Sequence, residues 1–221
     1  MAKREERAVT IPIADDPESG LALDGLYVAP APGVEDPGGA VIAPPHPLYG
    51  GSMDSPVVAE LSWAFARSGL ATLRFDWRGV GASAGTPSGD LAHAVADYGG
   101  ALAQLAESVS GRLVAAGYSF GAAAAILAAA RAPRVRSLVL VAPPPALIDR
   151  EALAARAVDV LILTGEHDAI APAAKLEAIA KDLPRGRFVR IDEADHFFGA
   201  GLADLGKAVT RSLGGSASGA L

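Results

Sequence analysis

From residue 40 onward, short apolar segments alternate with longer, alanine-rich segments of helical character, and this order constrains the fold more than any other feature. The central apolar segments carry few polar residues, as expected for strands that are covered on both faces. Such alternation predicts an α/β architecture, with a mainly parallel sheet and helices on both faces. Strands are predicted at residues 8–13, 21–28, 40–43, 71–75, 112–116, 135–141, 158–163 and 187–191. Helices are predicted at residues 55–68, 90–107, 120–131, 172–182 and 197–213.

The connections between these segments indicate a single domain without a cap. Residues 14–20, rich in Asp, Gly and Pro, separate the first two strands and predict a hairpin. Residues 142–157, between the sixth and seventh strands, are too few for a separate domain. We therefore expect one domain over residues 1–213, followed by a flexible tail of small residues at 214–221.

Composition excludes several classes of protein. The chain has 51% hydrophobic residues and a net charge of −6, so it is neither disordered nor suited to bind nucleic acid. It has no cysteine, which excludes disulfides, thiolate metal sites and a cysteine nucleophile. The four histidines lack zinc-site spacing, so we expect neither a metal nor another cofactor.

The sequence gives no sign of secretion or of membrane insertion. The apolar stretch at residues 8–13 is too short for a signal peptide. The longest uncharged run, at residues 113–130, is interpreted as a buried strand, a turn and a buried helix, because turn residues interrupt it. We expect a cytoplasmic protein that does not contact membranes.

The pattern Gly-x-Ser-x-Gly occurs twice, and the surrounding segments separate the two occurrences. Ser119, in Gly117-Tyr118-Ser119-Phe120-Gly121, follows an apolar strand and begins a helix. That strand–turn–helix setting is typical of a nucleophile elbow, so Ser119 is the predicted nucleophile. The alternative is a helix N-cap flanked by packing glycines. Ser83, in the second occurrence, has no strand directly before it and no helix directly after it, and is interpreted as a loop residue.

A serine nucleophile needs a neighbouring base, and in proteins with such an elbow the acid and then the histidine follow the serine. Of the four histidines, only His167 and His196 follow Ser119. His196 comes directly after the last predicted strand, where a loop overhangs the carboxyl edge of the sheet. It is therefore the predicted base, with His167 as the alternative.

The predicted acid is Asp168, in the loop after the seventh strand, where it would orient the imidazole and stabilise its charged form. Glu166, two residues earlier, is the competing candidate. Asp192 and Asp195 are close to the predicted base in sequence, but this does not give the required geometry. Asp168 would also suit the N-terminus of the helix that begins near Pro172.

Two backbone N–H groups are expected to stabilise the oxyanion that forms during acyl transfer. The first is that of Phe120, next to the nucleophile. The second should come from the loop at residues 44–52, where Pro47 has no N–H, so Leu48 or Tyr49 is the candidate. Tyr49 and Tyr118 are predicted to contact the substrate. The loop that begins at Asp76 is interpreted as a structural turn, in which Asp76 and Arg78 pair with neighbouring loops.

With these motifs, the chain resembles the α/β-hydrolase superfamily along nearly its whole length. The resemblance is carried by His-Pro-Leu-Tyr-Gly-Gly at 46–51, Asp-Trp-Arg-Gly-Val-Gly-Ala-Ser at 76–83, and the elbow at 117–121. The chain looks most like small bacterial members without a cap, and is similar in plan to dienelactone hydrolases and serine aminopeptidase-like hydrolases. The resemblance implies an eight-stranded sheet and a triad of Ser119, Asp168 and His196.

These features together predict a serine hydrolase that cleaves carboxylic esters of short acyl chains through an acyl-enzyme. The expected partner is a small-molecule ester, and an exposed sheet edge makes a homodimer plausible. The same triad would serve a thioesterase, a lactonase or a small peptidase. A non-catalytic binding protein of the same fold is the alternative from a different class.

Overall fold

A computed structural model describes residues 4–13, 20–155 and 157–214. The strands are β1 (Glu6–Pro12), β2 (Ala22–Val28), β3 (Gly39–Ala43), β4 (Ala71–Phe75), β5 (Leu113–Tyr118), β6 (Val135–Val141), β7 (Asp159–Gly165) and β8 (Gly186–Ile191). The helices are α1 (Pro56–Arg67), α2 (Leu91–Ser108), α3 (Phe120–Ala130), α4 (Arg150–Ala154), α5 (Ala173–Lys181) and α6 (Leu202–Gly214). Short 3-10 turns follow β3 at Pro47–Tyr49 and β6 at Pro145–Leu147.

The strands form one eight-stranded sheet in the order β1-β2-β4-β3-β5-β6-β7-β8. β1 pairs antiparallel with β2, and β2 pairs antiparallel with β4, whereas every later pairing is parallel. The prediction of a mainly parallel sheet of eight strands is thus confirmed. β5, which leads to Ser119, lies between β3 and β6 near the middle of the sheet.

Helices cover both faces of the sheet. The chain moves from β3 to β4 toward one edge of the sheet, and from β4 onward it adds strands toward the other edge. Crossovers between parallel strands are right-handed, so α1, which leads from β3 to β4, lies on one face, and α2, α3 and α5 lie on the other. α1 packs against α6, and α2 packs against α3. The strands β3, β4 and β5 between these layers are buried at every position.

α3 is an unusual helix because it is apolar on all sides. Nine of its residues are buried: Phe120, Gly121, Ala122, Ala123, Ala124, Ala125, Ile126, Ala128 and Ala129. The small alanine side chains let the helix lie close to the sheet while it packs against α2 on another side. The segment that follows Ser119 is therefore held rigidly from several directions.

The structure corrects the helix predictions near the C-terminus and after β6. The last helix begins at Leu202 instead of residue 197, because Phe198 and Gly201 have φ angles of +54° and +78°, which no helix accommodates. It continues through Gly214, which was predicted to begin the tail. Residues 215–221 of the predicted tail, like residues 14–19 of the predicted hairpin, lie outside the described residues. The short helix α4 was not predicted.

No cap domain lies between β6 and β7 in the described part of the chain, where this connection holds only the second 3-10 turn and α4. Among the described residues, no helix has both the length and the apolar character that crossing a bilayer requires.

Candidate active site

Ser119 occupies a strained turn between β5 and α3. Its φ and ψ angles are +54° and −117°, a combination that a non-glycine residue adopts only when its surroundings impose it. Its backbone N–H donates to the carbonyl of Val141 at 2.8 Å, which ties the turn to the neighbouring strand β6. The side chain is half-buried at the carboxyl edge of the sheet.

The two glycines of the elbow are required by close approach of the backbone. A Cβ atom on Gly117 would overlap the backbone of Gly121, and one on Gly121 would overlap the carbonyl oxygen of Pro44. Any side chain at either position would push α3 away from β3 and β5. The spacing of the motif is thus explained by the turn itself.

The structure brings Ser119, His196 and Asp168 into one hydrogen-bonded chain. His196 Nε2 lies 3.1 Å from Ser119 Oγ, and His196 Nδ1 lies 2.7 Å from Asp168 Oδ2. Asp168 and His196 are 4% and 8% exposed, so little water competes for the bond between their side chains. The distances are those required of a nucleophile, a base and the group that orients the base.

Asp168 is held by donors on both of its oxygens. Oδ1 accepts hydrogen bonds from the backbone N–H groups of Ile170 and Ala171, at 2.9 and 2.7 Å. Oδ2 bonds to His196 and lies 3.2 Å from Thr164 Oγ1, whose single proton is shared with the carbonyl of Ala171 at 2.8 Å. Burial raises the pKa of this carboxyl, but the hydrogen bonds outweigh burial and hold the pKa below its ordinary value. Asp168 is therefore an ionised partner for the imidazole.

Tyr118 contacts the backbone of the base. Its hydroxyl donates to the carbonyl of His196 at 2.7 Å, and its ring packs against Phe198 at 6.3 Å between ring centroids. Burial, together with the nearby carboxylates of Asp168 and Asp195, raises the pKa of Tyr118 well above its ordinary value, so the hydroxyl keeps its proton. The sequence did not indicate this role, and contact of Tyr118 with a substrate stays a prediction.

The candidate oxyanion donors differ in their availability. The backbone N–H of Phe120 meets no acceptor among the described residues, as a free donor next to the nucleophile should. The N–H of Leu48 instead donates to His46 Nδ1 at 3.2 Å, and that of Tyr49 donates to the carbonyl of His46 at 3.1 Å. Both candidates for the second donor are thus engaged within their own turn.

Three alternative residues lie apart from the chain of Ser119, His196 and Asp168. The ring of His167 is exposed and lies 3.9 Å from Glu193, and Glu166 accepts from the N–H of Glu193 at 3.1 Å. Ser83 is buried, where its hydroxyl donates to the carbonyl of Asp76 and accepts from the N–H of Asp24, each at 2.9 Å. Neither the histidine nor the second serine is placed to act with Ser119.

One group of side chains in the described part of the chain could offer three ligand atoms to a metal. The ligand atoms of Glu166, His167 and Glu193 lie within 4.8 Å of one another at the surface. Arg190 also lies 3.5 Å from Glu166 and neutralises part of its charge. The predicted absence of a metal and of other cofactors stays a prediction.

Exposed apolar side chains lie on several loops that follow strands at the same edge of the sheet as Ser119. Of the seven large hydrophobic residues that are exposed in the described part of the chain, five lie on loops at the carboxyl edge of the sheet, and we call this set the apolar rim: Leu48, Tyr49, Leu147, Ile170 and Phe197. Tyr49 and Phe197 are the most exposed, at 87% and 72%. The ring of Phe197 lies 5.6 Å from that of His196. An apolar part of a substrate would therefore have side chains to contact.

Comparison with known proteins finds a family model and a relative that match this sequence. The family model described as serine aminopeptidase, S33, matches residues 48–150, a segment that includes Ser119 but ends before Asp168. An uncharacterized protein of Rickettsia prowazekii (strain Madrid E) is 31% identical over an alignment of 186 residues, which covers 79% of this chain and 77% of the relative.

Two solved structures are similar over nearly the whole chain. A serine hydrolase without a lid from Xanthomonas campestris is 28% identical with a TM-score of 0.81, and the match covers 98% of this chain and 97% of that one. An α/β serine hydrolase homologue from Coxiella burnetii is 28% identical with a TM-score of 0.79, and the match covers 96% of this chain and 99% of that one.

Proposed function

Because this chain belongs to the α/β-hydrolase superfamily, we propose that it is a serine hydrolase that cleaves carboxylic esters of short acyl chains. The observation that carries the proposal is the hydrogen-bonded chain from Ser119 Oγ through His196 to Asp168, at 3.1 and 2.7 Å. A hydroxyl is a poor nucleophile until a base takes its proton, and this arrangement supplies the base and orients it.

The proposed reaction proceeds in two displacements. Ser119 Oγ forms a bond to the ester carbonyl carbon while His196 Nε2 takes the hydroxyl proton and the carbonyl oxygen becomes an oxyanion. The bond to the alcohol oxygen then breaks, and the alcohol leaves with the proton from His196. Water repeats the sequence on the acyl-enzyme, which gives the free acid and restores Ser119.

Charge develops at two places during these steps, and each has a stabilising group. The ionised carboxylate of Asp168 stabilises the imidazolium of His196, since its lowered pKa keeps it charged. The free N–H of Phe120 stabilises the oxyanion, and one such donor is typically worth about 10²–10³ in rate. A second donor from Leu48 or Tyr49 would require the turn at His46 to release it.

Labelling with a fluorophosphonate tests the proposal directly. We expect an adduct on Ser119, located by peptide mapping, and cleavage of p-nitrophenyl acetate that labelling abolishes. Ser119→Ala should remove both signals, while Ser83→Ala, a serine in the same pattern, should keep them. A folded wild-type protein that forms no adduct would favour a non-catalytic binding protein instead.

A small peptidase is the second candidate, and the match of residues 48–150 to the serine aminopeptidase model favours it. The same triad also serves thioesters and lactones. A panel of aminoacyl p-nitroanilides, acyl thioesters and lactones, compared by kcat/KM with p-nitrophenyl acetate, separates these activities. An anilide with a higher kcat/KM than every ester would replace the esterase with the peptidase.

A cytoplasmic location, a small-molecule ester as partner and a homodimer stay predictions. Two arginines on the edge strand β8, Arg187 and Arg190, oppose pairing of that edge with a second copy. A dimer would therefore have to use another surface, and sedimentation would detect it.

A further inference from the structure

The loop that follows β4 contains a buried tryptophan that contacts two parts of the candidate site. Trp77 is 1% exposed, and its indole N–H donates to the carbonyl of Pro45 at 2.9 Å. Its ring meets that of Phe120 at 5.8 Å and an angle of 75°, in an edge-to-face contact. The residue thus touches the loop after β3 and the residue that follows Ser119.

Those two contacts fall on the two segments from which the oxyanion donors are proposed to come. Phe120 carries the free N–H of the elbow, and its ring also packs against His46 at 4.6 Å. The turn after Pro45 is closed by its own hydrogen bonds, because both Tyr49 and Gly51 donate their N–H groups to the carbonyl of His46. A shift of Pro45 would therefore move the whole turn relative to Phe120.

Trp77 is itself held in place by a ring contact and by the anchoring of the next residue along the chain. The ring of Phe75 packs against it edge-on at 5.0 Å. The next residue, Arg78, is anchored to Asp97 of α2 by a buried ion pair, with Nη2 2.7 Å from the carboxylate, and by its backbone N–H at 3.0 Å. The indole is therefore held by contacts that do not involve the loop after β3.

We propose that Trp77 is a positioning residue that sets the distance between the loop after β3 and the N–H of Phe120, and so shapes the oxyanion hole. The inference rests on the proposed function, since it concerns the same site. Any buried tryptophan needs a partner for its N–H. The choice of partner points to positioning, because Pro45 belongs to the loop after β3 while the ring of the same residue contacts Phe120.

Trp77→Phe tests the proposal, with Trp63→Phe as the matched control. The control removes the chain's other tryptophan, which is 49% exposed on α1 and stacks with Arg67. With p-nitrophenyl acetate we expect Trp77→Phe to lower kcat about 10-fold, less than the full loss of an oxyanion donor, with KM changed less than about threefold. The rate of fluorophosphonate labelling should fall in parallel. Trp63→Phe should change neither rate.

A second substitution isolates the N–H and decides the question if Trp77→Phe does not fold. In the Trp63→Phe background, 3-benzothienylalanine replaces the one remaining tryptophan and keeps its shape while sulfur replaces the N–H. We expect the same selective loss of kcat. An unchanged kcat in this folded protein would overturn the proposal while the active wild type upholds the hydrolase. A wild type that neither labels nor turns over any ester would overturn the proposed function, and the inference with it.

Discussion

The hydroxyl of Tyr118 donates a 2.7 Å hydrogen bond to the backbone carbonyl of His196, so the last residue of β5 holds the loop that carries the imidazole. Ser119 follows Tyr118 directly. Ser119 therefore contacts the imidazole of His196, and Tyr118 contacts the backbone of the same residue. The position of the imidazole relative to the hydroxyl depends on this bond.

Tyr118→Phe removes that bond and leaves the carbonyl of His196 without its partner. A typical hydrogen bond contributes about 0.5–1.5 kcal/mol, so we expect kcat to fall about 2- to 10-fold if the loss affects the transition state. The free energy of unfolding, measured in urea, should fall by about 1–3 kcal/mol. Tyr27→Phe is the control, since this ring lies on β2 beside Arg7. Wild-type kinetics in Tyr118→Phe would show that the loop needs no such support.

Asp168→Asn should lower kcat by about 10³–10⁴. Two backbone N–H groups fix Oδ1 of Asp168, so the oxygen of the new amide will take that place and its NH₂ will face His196. The imidazole must then carry its proton on Nε2, where it cannot accept the proton of Ser119. Glu166→Gln, at the competing carboxylate, should leave kcat near that of the wild type. Loss of activity in Glu166→Gln alone would transfer the role to that residue.

The lowered pKa of Asp168 also predicts how stability changes with pH. A carboxyl whose pKa is lower in the folded state stabilises the protein at pH values above 3.8, the ordinary pKa of the group. This contribution is lost as the pH falls through the pKa of the folded state. The difference in free energy of unfolding between wild type and Asp168→Asn should be larger at about pH 6 than at about pH 3. Urea titrations at both pH values measure it. A difference that grows on acidification would contradict the assigned direction.

The open site predicts a preference for short acyl chains. With no cap between β6 and β7 among the described residues, the apolar rim can contact an acyl group but does not enclose it. Additional methylenes that stay in water add no binding energy, whereas each buried one adds about 0.8 kcal/mol. We expect p-nitrophenyl acetate to have a higher kcat/KM than the palmitate ester, with butyrate and octanoate between them. Equal values for acetate and palmitate would indicate an enclosed chain.

Asp97→Ala should destabilise the protein by about 3–5 kcal/mol, because it removes one partner of a buried ion pair with Arg78. The bond also fixes the loop that carries Trp77. Thermal and urea unfolding measure the loss. Asp204→Ala removes an exposed ion pair with Lys207 and should unfold like the wild type. A small effect at Asp97 would mean that water or the other contacts of Arg78 replace the carboxylate.

Much of the fold could be predicted from the sequence, because strands buried on both faces appear as continuous apolar segments. The bounds of β4 and β6 agree with the prediction at both ends. The start of α6 could not be predicted, because a positive φ angle at Phe198 is not a property of phenylalanine.

The candidate site could be predicted where chemistry restricts the residue type and chain order fixes the place. The structure brings Ser119, Asp168 and His196 together, although these residues are far apart in the chain. The supporting contacts could not be predicted in this way. The bond from Leu48 to His46 Nδ1 depends on a side-chain rotamer, and that from Trp77 to Pro45 depends on how two loops meet. Local patterns contain no information on either.

The packing of α3 determines where this protein can change. Its alanines fill the space beside the sheet, so a larger side chain there would displace Ser119 and the N–H of Phe120 together. The apolar rim faces water and tolerates different sizes and polarities. Laboratory evolution toward new substrates should therefore collect its substitutions around the opening and leave the helix behind the nucleophile untouched.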